Sequence, residues 1–415
     1  MKQDVVDRLP RDLYVAAAAR AASIFGNVVA VTALLLDFHD RGAGAWAVAG
    51  LLAAGALPIV LLAPLVGSLV DRFDSRTLIV VSSLWQAVAC LLLAFVGDPR
   101  LVLSLAVLNA CGTAVTNPLF LSLTSVMVPS RQLAAATSVQ QGGVIIAMMA
   151  GPTASGMIIG LTGSARIPLL LDVVIFIAVA GVGLLIGTRR RPAPDEPRTN
   201  ARDGIAMLFT DRPLAVSVAL AVLLPLAVQP TYVAQVFLVR DTFGASALAF
   251  GLVQATHMTG LLIGTVLVAR LNTVRRIVLG APLAAVVMAV ALTLIGVFRS
   301  LPATFALYVL AGVSMSMVSV STATLLLSRI PESAIGRVTA SFTAVHRFSG
   351  LIAYGLGGVI VGLLRPESVY TFSGIGALII VLLLVPAFRQ AWHRADAPIA
   401  VRRTPGTRSS VSRRP

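Results

Sequence analysis

Long apolar runs, separated by short polar turns, repeat along the whole chain. Each run exceeds the 9–11 residues of a membrane β-strand and reaches the roughly 20 residues that a helix needs to cross a bilayer. Lipid offers no partner to backbone N–H and C=O groups, so helices that pair them internally are favoured. The pattern predicts an all-α membrane protein with twelve transmembrane helices, at residues 12–36, 45–66, 77–97, 101–126, 133–161, 167–187, 213–239, 246–269, 276–298, 302–327, 336–363 and 369–389.

One long polar stretch in the middle of the chain separates six apolar segments from six. Its start is rich in arginine and proline, which favours an extended linker. The end of the chain contains proline, serine and arginine with little apolar content, which is typical of disorder. We therefore expect four parts: an N-terminal six-helix bundle (1–187), a cytoplasmic linker (188–212), a C-terminal six-helix bundle (213–389) and a disordered basic tail (390–415).

The two halves carry a weak internal repeat at an offset of 202 residues. The identical pairs are Thr137 and Thr339, Gly156 and Gly358, Ile158 and Ile360, Gly160 and Gly362, and Leu161 and Leu363. Such repetition fits two pseudo-symmetric bundles of parallel orientation. The alternative is that membrane helices share glycines by chance.

Composition and charge distribution support the same topology. The chain is 57% hydrophobic and 12% charged, and its net charge of +15 raises the possibility of a nucleic-acid partner. With both termini in the cytoplasm, however, 24 of the 32 basic residues lie on the cytoplasmic side and six outside, as the positive-inside rule requires. The charge is therefore a topology signal, and we expect a multi-pass protein of the bacterial inner membrane with no nucleic-acid partner.

The stretch from Gly67 to Arg76 holds four charges in ten residues between the second and third apolar segments. Ions at bilayer depth cost several kcal/mol, so this stretch is predicted to be a tight cytoplasmic turn. It follows the pattern G-x-L-x-D-R-x-x-x-R through Gly67, Asp71, Arg72 and Arg76.

This pattern resembles the signature loop of the major facilitator superfamily. Leu57-Pro58, Gly151-Pro152 with Gly156, and Gly336-Arg337 resemble motifs of its bacterial macrolide, drug and siderophore exporters. The resemblance implies two six-helix bundles around a central cavity, with segments 1, 4, 7 and 10 lining it and segments 3, 6, 9 and 12 outside. It also implies that Gly151, Pro152 and Gly156 form a helix-packing motif at the interface of the halves.

The resemblance gives the signature loop a gating role. Asp71 is expected to contact the start of segment 11, including Arg337, and to close the cytoplasmic side of the outward-open state. Asp71→Asn should then abolish transport without preventing membrane insertion, and full transport by a well-expressed variant would refute this. A purely topogenic loop is the alternative.

Polar residues inside the apolar segments indicate a substrate cavity, because in hydrocarbon they cost energy unless they face an interior. Interhelical hydrogen bonding is the alternative explanation. Segments 1, 4, 7 and 10 hold no deep carboxylate, so a cavity with two arginines should favour neutral or anionic amphiphiles over cations. The candidate cavity residues are Arg20, Asn27, Asn109, Gln229, Tyr232, His257 and Arg347.

A proton-coupled antiporter needs a titratable group in its path. Relatives often carry glycine-aspartate in segment 1, where this chain has Gly26-Asn27. The proton-coupling candidates are Asp37, Asp172, His257 and His346.

The sequence thus predicts a secondary transporter, not an enzyme, that exports small amphiphilic compounds by alternating access with proton antiport. No phosphate-binding loop or metal-ligand spacing is present in the sequence, so no cofactor, metal or catalytic residue is expected. We expect the protein to act as a monomer. Uptake of an anionic nutrient is the alternative function, and a transporter-like sensor or scaffold without transport is a third.

Overall fold

A computed structural model of the chain describes residues 9–62, 65–66, 69, 72–129, 132–187, 206–209, 211–271, 274–330 and 332–395. Within these residues, twelve helices are long and apolar enough to cross a membrane. They are α1 (Arg11–Asp40), α2 (Gly44–Leu61), α3 (Ser75–Phe95), α4 (Pro99–Met127), α5 (Leu133–Thr162), α6 (Arg166–Leu185), α7 (Arg212–Thr242), α8 (Ala247–Ala269), α9 (Val274–Phe298), α10 (Leu301–Arg329), α11 (Glu332–Leu363) and α12 (Pro366–Ala395). The predicted all-α class and the twelve segments are confirmed.

Helix α12 continues to Ala395, beyond the apolar segment that ends at residue 389. Hydropathy detects only the part of a helix that is apolar. Gln390–Ala395 is polar but contains neither glycine nor proline, so the helix extends beyond the apolar segment. The linker residues 188–205 and the tail residues 396–415 lie outside the described part of the chain, as do Gly67 and Asp71.

Helix α7 is broken in the middle, which the hydrophobic pattern did not predict. An α-helix ends at Val228 and a second begins at Pro230, and a π-helical turn over Leu238–Thr242 completes the span. Pro225 and Pro230 have no backbone N–H to donate, so the helical hydrogen-bond ladder is interrupted on both sides of Gln229. The break places Gln229 and Tyr232 at a bend in the helix.

The helices form two six-helix bundles. In the first, α1 packs on α5 and α6, α3 packs on α4 and α6, and α2 packs on α4. In the second, α8 and α9 pack on α10, while α12 packs on α7 and α9, and α11 packs on α7. The bundles meet through the pairs α5–α8, α2–α11, α1–α7 and α2–α7. We call the side where α1 begins the N-side and the side where α1 ends the distal side.

Candidate functional site

Glycines allow the two bundles to touch backbone to backbone along α5 and α8. A Cβ atom on Gly156 of α5 would overlap the backbone carbonyl of Ala247, and one on Gly251 of α8 would overlap the carbonyl of Pro152. Both contacts lie toward the distal ends of the helices. Gly151 instead packs on Val28 of α1, within the first bundle.

The second interface between the bundles also has a glycine at the point of close approach, here against side chains. Gly358 of α11 lies against Ala49 and Trp46 of α2, again near the distal end. Gly156 and Gly358 are equivalent positions of the internal repeat. Both interfaces between the bundles therefore use the same glycine of the repeat to bring helices close.

A cluster of charged side chains joins the distal ends of α1 and α7. His39 contacts Asp241 of the other bundle through Nε2 at 2.7 Å and its neighbour Asp40 through Nδ1 at 3.0 Å. Arg240 donates to Asp40 at 3.0 Å, and Phe237 packs edge-on against the His39 ring. We call His39, Asp40, Arg240 and Asp241 the distal cluster.

A chain of hydrogen bonds crosses the interior of the first bundle. Asn27 of α1 donates to Thr113 of α4 at 2.6 Å, and Thr113 donates to Gln86 of α3 at 3.0 Å. Asn27, Thr113 and Asn109 line a cavity of about 60 Å³ whose other walls are mostly apolar. The polar residues of α1 and α4 are thus partly used for interhelical bonding, and three of them also face open space.

Thr113→Val should destabilise the folded protein, because valine keeps the shape but leaves Asn27 and Gln86 without their partner. The expected loss is about 1–3 kcal/mol, the cost of stranding buried polar groups. It is checked by the midpoint of thermal unfolding of the purified protein in detergent. Thr343→Val is the matched control, since Thr343 is exposed and bonds the Thr339 carbonyl of its own helix. Equal unfolding midpoints for the two variants would contradict the role of the network.

Arg20 lies within the wall of the first bundle. Its side chain is 7% exposed and donates to Gln140 of α5 at 2.9 Å. Gln140 in turn donates to Thr124 and to the Phe120 carbonyl of α4. Arg20 therefore ties α1, α5 and α4 together, while its Nε has no partner among the described residues.

Arg347 has a different environment from Arg20. It is exposed, and it lies three helical turns before Gly358 on the same face of α11. Gly358 faces α2 of the other bundle, so Arg347 also lies on the side of α11 that turns toward that bundle. Of the two arginines predicted to line the cavity, Arg347 is the exposed one.

The second bundle contains an aromatic cluster around His257 of α8. The Tyr232 hydroxyl lies 3.3 Å from His257 Nε2, and Tyr308 packs edge-on against the same ring. Tyr308 and Tyr370 are hydrogen-bonded through their hydroxyls. Gln229 lies at the break in α7, near this cluster, and packs against Gly350 of α11. Its Oε1 is buried without a partner in the described chain.

The other three proton-coupling candidates, His346, Asp37 and Asp172, lie in separate parts of the structure. His346 Nδ1 donates to the Ala221 carbonyl at 2.9 Å and lines a cavity of about 90 Å³ between α7, α10 and α11. Asp37 is paired with Arg41 at 2.8 Å near the distal end of α1. Asp172 is buried inside the first bundle.

The described part of the signature loop lies on the N-side. Arg72 is exposed, and Arg76 follows Asp74, whose side chain caps α3 by accepting from the Arg76 N–H at 2.8 Å. Arg337 of α11 is partly buried. Its expected partner Asp71 lies outside the described residues, so the gate contact stays a prediction.

Sequence reasoning missed two features of the site. The distal cluster was not predicted, although His39 and Asp241 are separated by the repeat offset of 202 and therefore occupy equivalent positions. The contact of the Cys90 thiol with Asp172 was not predicted either. No spacing rule connects residues on α3 and α6, so only the fold reveals this pair.

Two pseudo-symmetric six-helix bundles thus meet through α5–α8 and α2–α11, with polar residues between and beside them. The sequence matches the family model of the Major Facilitator Superfamily over residues 13–285 and 230–414. The chain belongs to this superfamily, and it is a transporter rather than an enzyme.

Individual relatives are distant. Macrolide efflux protein A of Streptococcus pyogenes is 22% identical over 355 residues, which cover 82% of this chain and 87% of that protein. Among solved structures, the nucleoside transporter NupG (D323A mutant) has a TM-score of 0.75 at 12% identity, covering 91% of this chain and 100% of that one. A bacterial homologue of the human lysosomal transporter Spinster, inward-facing and unoccupied, has a TM-score of 0.69 at 15% identity, covering 92% and 96%.

Proposed function

We propose that this protein is a secondary active exporter of small amphiphilic compounds, neutral or anionic, that works by alternating access and proton antiport. The N-side is the cytoplasmic side of a bacterial inner membrane, both termini are cytoplasmic, and the protein acts as a monomer. The observation that carries the proposal is the distal attachment of the bundles, with Arg347 on the inter-bundle face below it. Such an arrangement suits a state that is open toward the cytoplasm.

The relationship to a macrolide efflux protein favours export and an amphiphilic substrate. Similarity to a nucleoside transporter and to other transporters rests on fold alone at 12–15% identity and carries no information on direction. The positive-inside distribution of arginines supports the orientation.

The charge of the pathway supports the substrate class. Deep carboxylates are absent from α1, α4, α7 and α10 in the sequence, whereas α1 and α11 carry Arg20 and Arg347. A cation in a low-dielectric cavity would be repelled by these charges, and an anion attracted. The relative is named for the efflux of macrolides. Neutral macrolides should also be accepted here, because most of the cavity wall is apolar.

Arg347→Gln should weaken transport of an anionic amphiphile about tenfold, since one favourable charge interaction of roughly 1.4 kcal/mol is removed. Transport of a neutral macrolide should be unchanged. Arg365→Gln, an exposed arginine in the distal turn between α11 and α12, is the matched control. An equal loss for the neutral and the anionic compound would contradict a charge-based role for Arg347.

The function is tested by accumulation in a pump-deficient bacterium that expresses the protein. The probes are a neutral macrolide, an anionic siderophore-like compound and a cationic dye, each with and without a protonophore. Lower accumulation of the first two, reversed by the protonophore, is expected. Extrusion of the cationic dye alone would contradict the charge argument.

Uptake of an anionic nutrient is the second candidate, and the exposed Arg347 is the observation that favours it. The same experiment separates the two directions. Raised accumulation of the anionic probe in expressing cells would support uptake and overturn export.

A further inference from the structure

Asp172 is a fully buried carboxylate in the interior of the first bundle. It lies on α6, its exposed fraction is 0%, and Cys90 of α3 donates to its Oδ2 at 3.2 Å. Its Oδ1 has no hydrogen-bond partner among the described residues and faces Gly26 of α1, where a Cβ would overlap it. Three helices therefore enclose this carboxyl group, and one of its two oxygens has no hydrogen-bond partner among the described residues.

We propose that Asp172 is the site where the coupled proton binds, an inference that rests on the proposed proton-driven transport. An ionised carboxylate in this position would be a buried charge with an unsatisfied oxygen, which is costly. A proton bound to the carboxyl group removes the charge.

Charges on the neighbouring helices do not neutralise Asp172. On α1, Arg20 is bonded to Gln140 and Asp37 is paired with Arg41. On α3, the titratable group in contact is the Cys90 thiol. Arg166 at the start of α6 is exposed at the distal surface. Within the described chain, Asp172 forms no ion pair.

The other candidates are less suited to bind the coupled proton. Asp37 already has a cation as partner, and His346 uses Nδ1 to donate to a backbone carbonyl. His257 packs between Tyr232 and Tyr308 in the second bundle. Asp172 differs because its uncompensated group lies directly against α1.

A polar route links Asp172 to the cavity of the first bundle. Cys90 Sγ lies 3.8 Å from Asn109 Oδ1, and Asn109 lines that cavity together with Asn27. A hydronium ion that reaches the cavity gives up a proton and leaves neutral water, and an O–H bond forms on Asp172. On release that O–H bond breaks and the proton passes to water on the other side of the membrane. No further reactant is needed.

Helix α1 connects this proton to the conformational change. Gly26 packs on Asp172, Asn27 next to it faces the cavity, and His39 and Asp40 at the end of the same helix form part of the distal cluster. Neutralising Asp172 changes the contact between α6 and α1 near the middle of α1. The shift is carried along the helix to the cavity and to the distal interface.

The first test compares two modes of transport by the purified full-length protein in liposomes, with a neutral macrolide as the probe. Asp172→Asn should lose concentrative transport driven by a pH gradient but keep at least half of the wild-type exchange of labelled for unlabelled macrolide. Asp98→Asn is the matched control, because Asp98 is a helix cap in a distal turn and asparagine caps equally well. Concentrative transport by Asp172→Asn at the wild-type level would overturn the proposal. So would loss of exchange by a folded variant, which would mark a structural role.

The second test does not need a substrate. Infrared difference spectra of the purified protein between acidic and alkaline pH should contain a carboxyl band that Asp172→Asn removes and Cys90→Ser shifts. An unchanged band in Asp172→Asn would overturn the proton site, whatever the transport result. If the wild type carried no macrolide while the Asp172 band was present, the proposed function would fail, and Asp172 would bind a proton without coupling it to macrolide transport.

Discussion

Gly156→Val should abolish transport while the protein still inserts in the membrane. The valine Cβ would lie closer to the Ala247 carbonyl oxygen than two non-bonded heavy atoms can, so α5 and α8 cannot approach as they do in this structure. Backbone on the opposite helix cannot rotate away as a flexible side chain does, and overpacking of this kind costs about 1–3 kcal/mol or more. The state in which the two bundles touch on the distal side therefore no longer forms, and the transport cycle cannot be completed. The measurement is macrolide efflux by expressing cells.

Gly160→Val is the matched control for this prediction. Gly160 lies one turn further along α5, is exposed, and has no atom within 4 Å of the position of an added Cβ in the described chain. It should transport like the wild type. A Gly156→Val protein that is well expressed and transports normally would show that α5 and α8 need not approach this closely.

Asp40→Arg should open the distal side. In the wild type, Asp40 and Arg240 are paired at 3.0 Å. The new arginine would face Arg240 and would lie beside His39. Attractive pairs in the distal cluster become repulsive, and this repulsion across the interface destabilises the contact between the bundles. The expected result is a longer distance between spin labels on the distal ends of the two bundles, at positions 100 and 365, with reduced efflux.

The charge-swapped double variant provides the control. Asp40→Arg combined with Arg240→Asp restores an opposite pair across the same gap, so the label distance should return toward the wild-type value. Both residues are partly exposed, with side-chain exposures of 43% and 25%, so the restoration is expected to be partial. A double variant as open as the single one would show that the pair does not hold the bundles together.

The sequence predicted the helices well because lipid imposes a simple rule. Every spanning segment must pair its own backbone, so a run of apolar residues such as 133–161 becomes the helix Leu133–Thr162 with little change. The rule fails where helices leave the apolar region, as at Ala395, and where proline breaks the ladder, as at Gln229. Those features depend on local backbone chemistry that hydropathy does not measure.

The candidate site was less predictable, because polar residues in spans can bond to each other or face a cavity. Arg20 and Arg347 were both predicted to line the cavity, yet one is bonded to Gln140 inside a bundle and the other is exposed on the inter-bundle face. Asp172 was expected on an outside helix. Its carboxyl turns inward onto Cys90 and Gly26, and only the packing of α6 on α1 and α3 reveals this.

Flux through purified protein in liposomes is the most direct test of the claim that this chain is a proton-driven exporter. The neutral macrolide and the anionic probe would be followed with an imposed pH gradient, and again after a protonophore. Both probes should accumulate against their gradients in exchange for protons, and the protonophore should collapse that accumulation. Folded protein that moves neither probe in either direction would contradict transport and favour a sensor or scaffold built on the same fold.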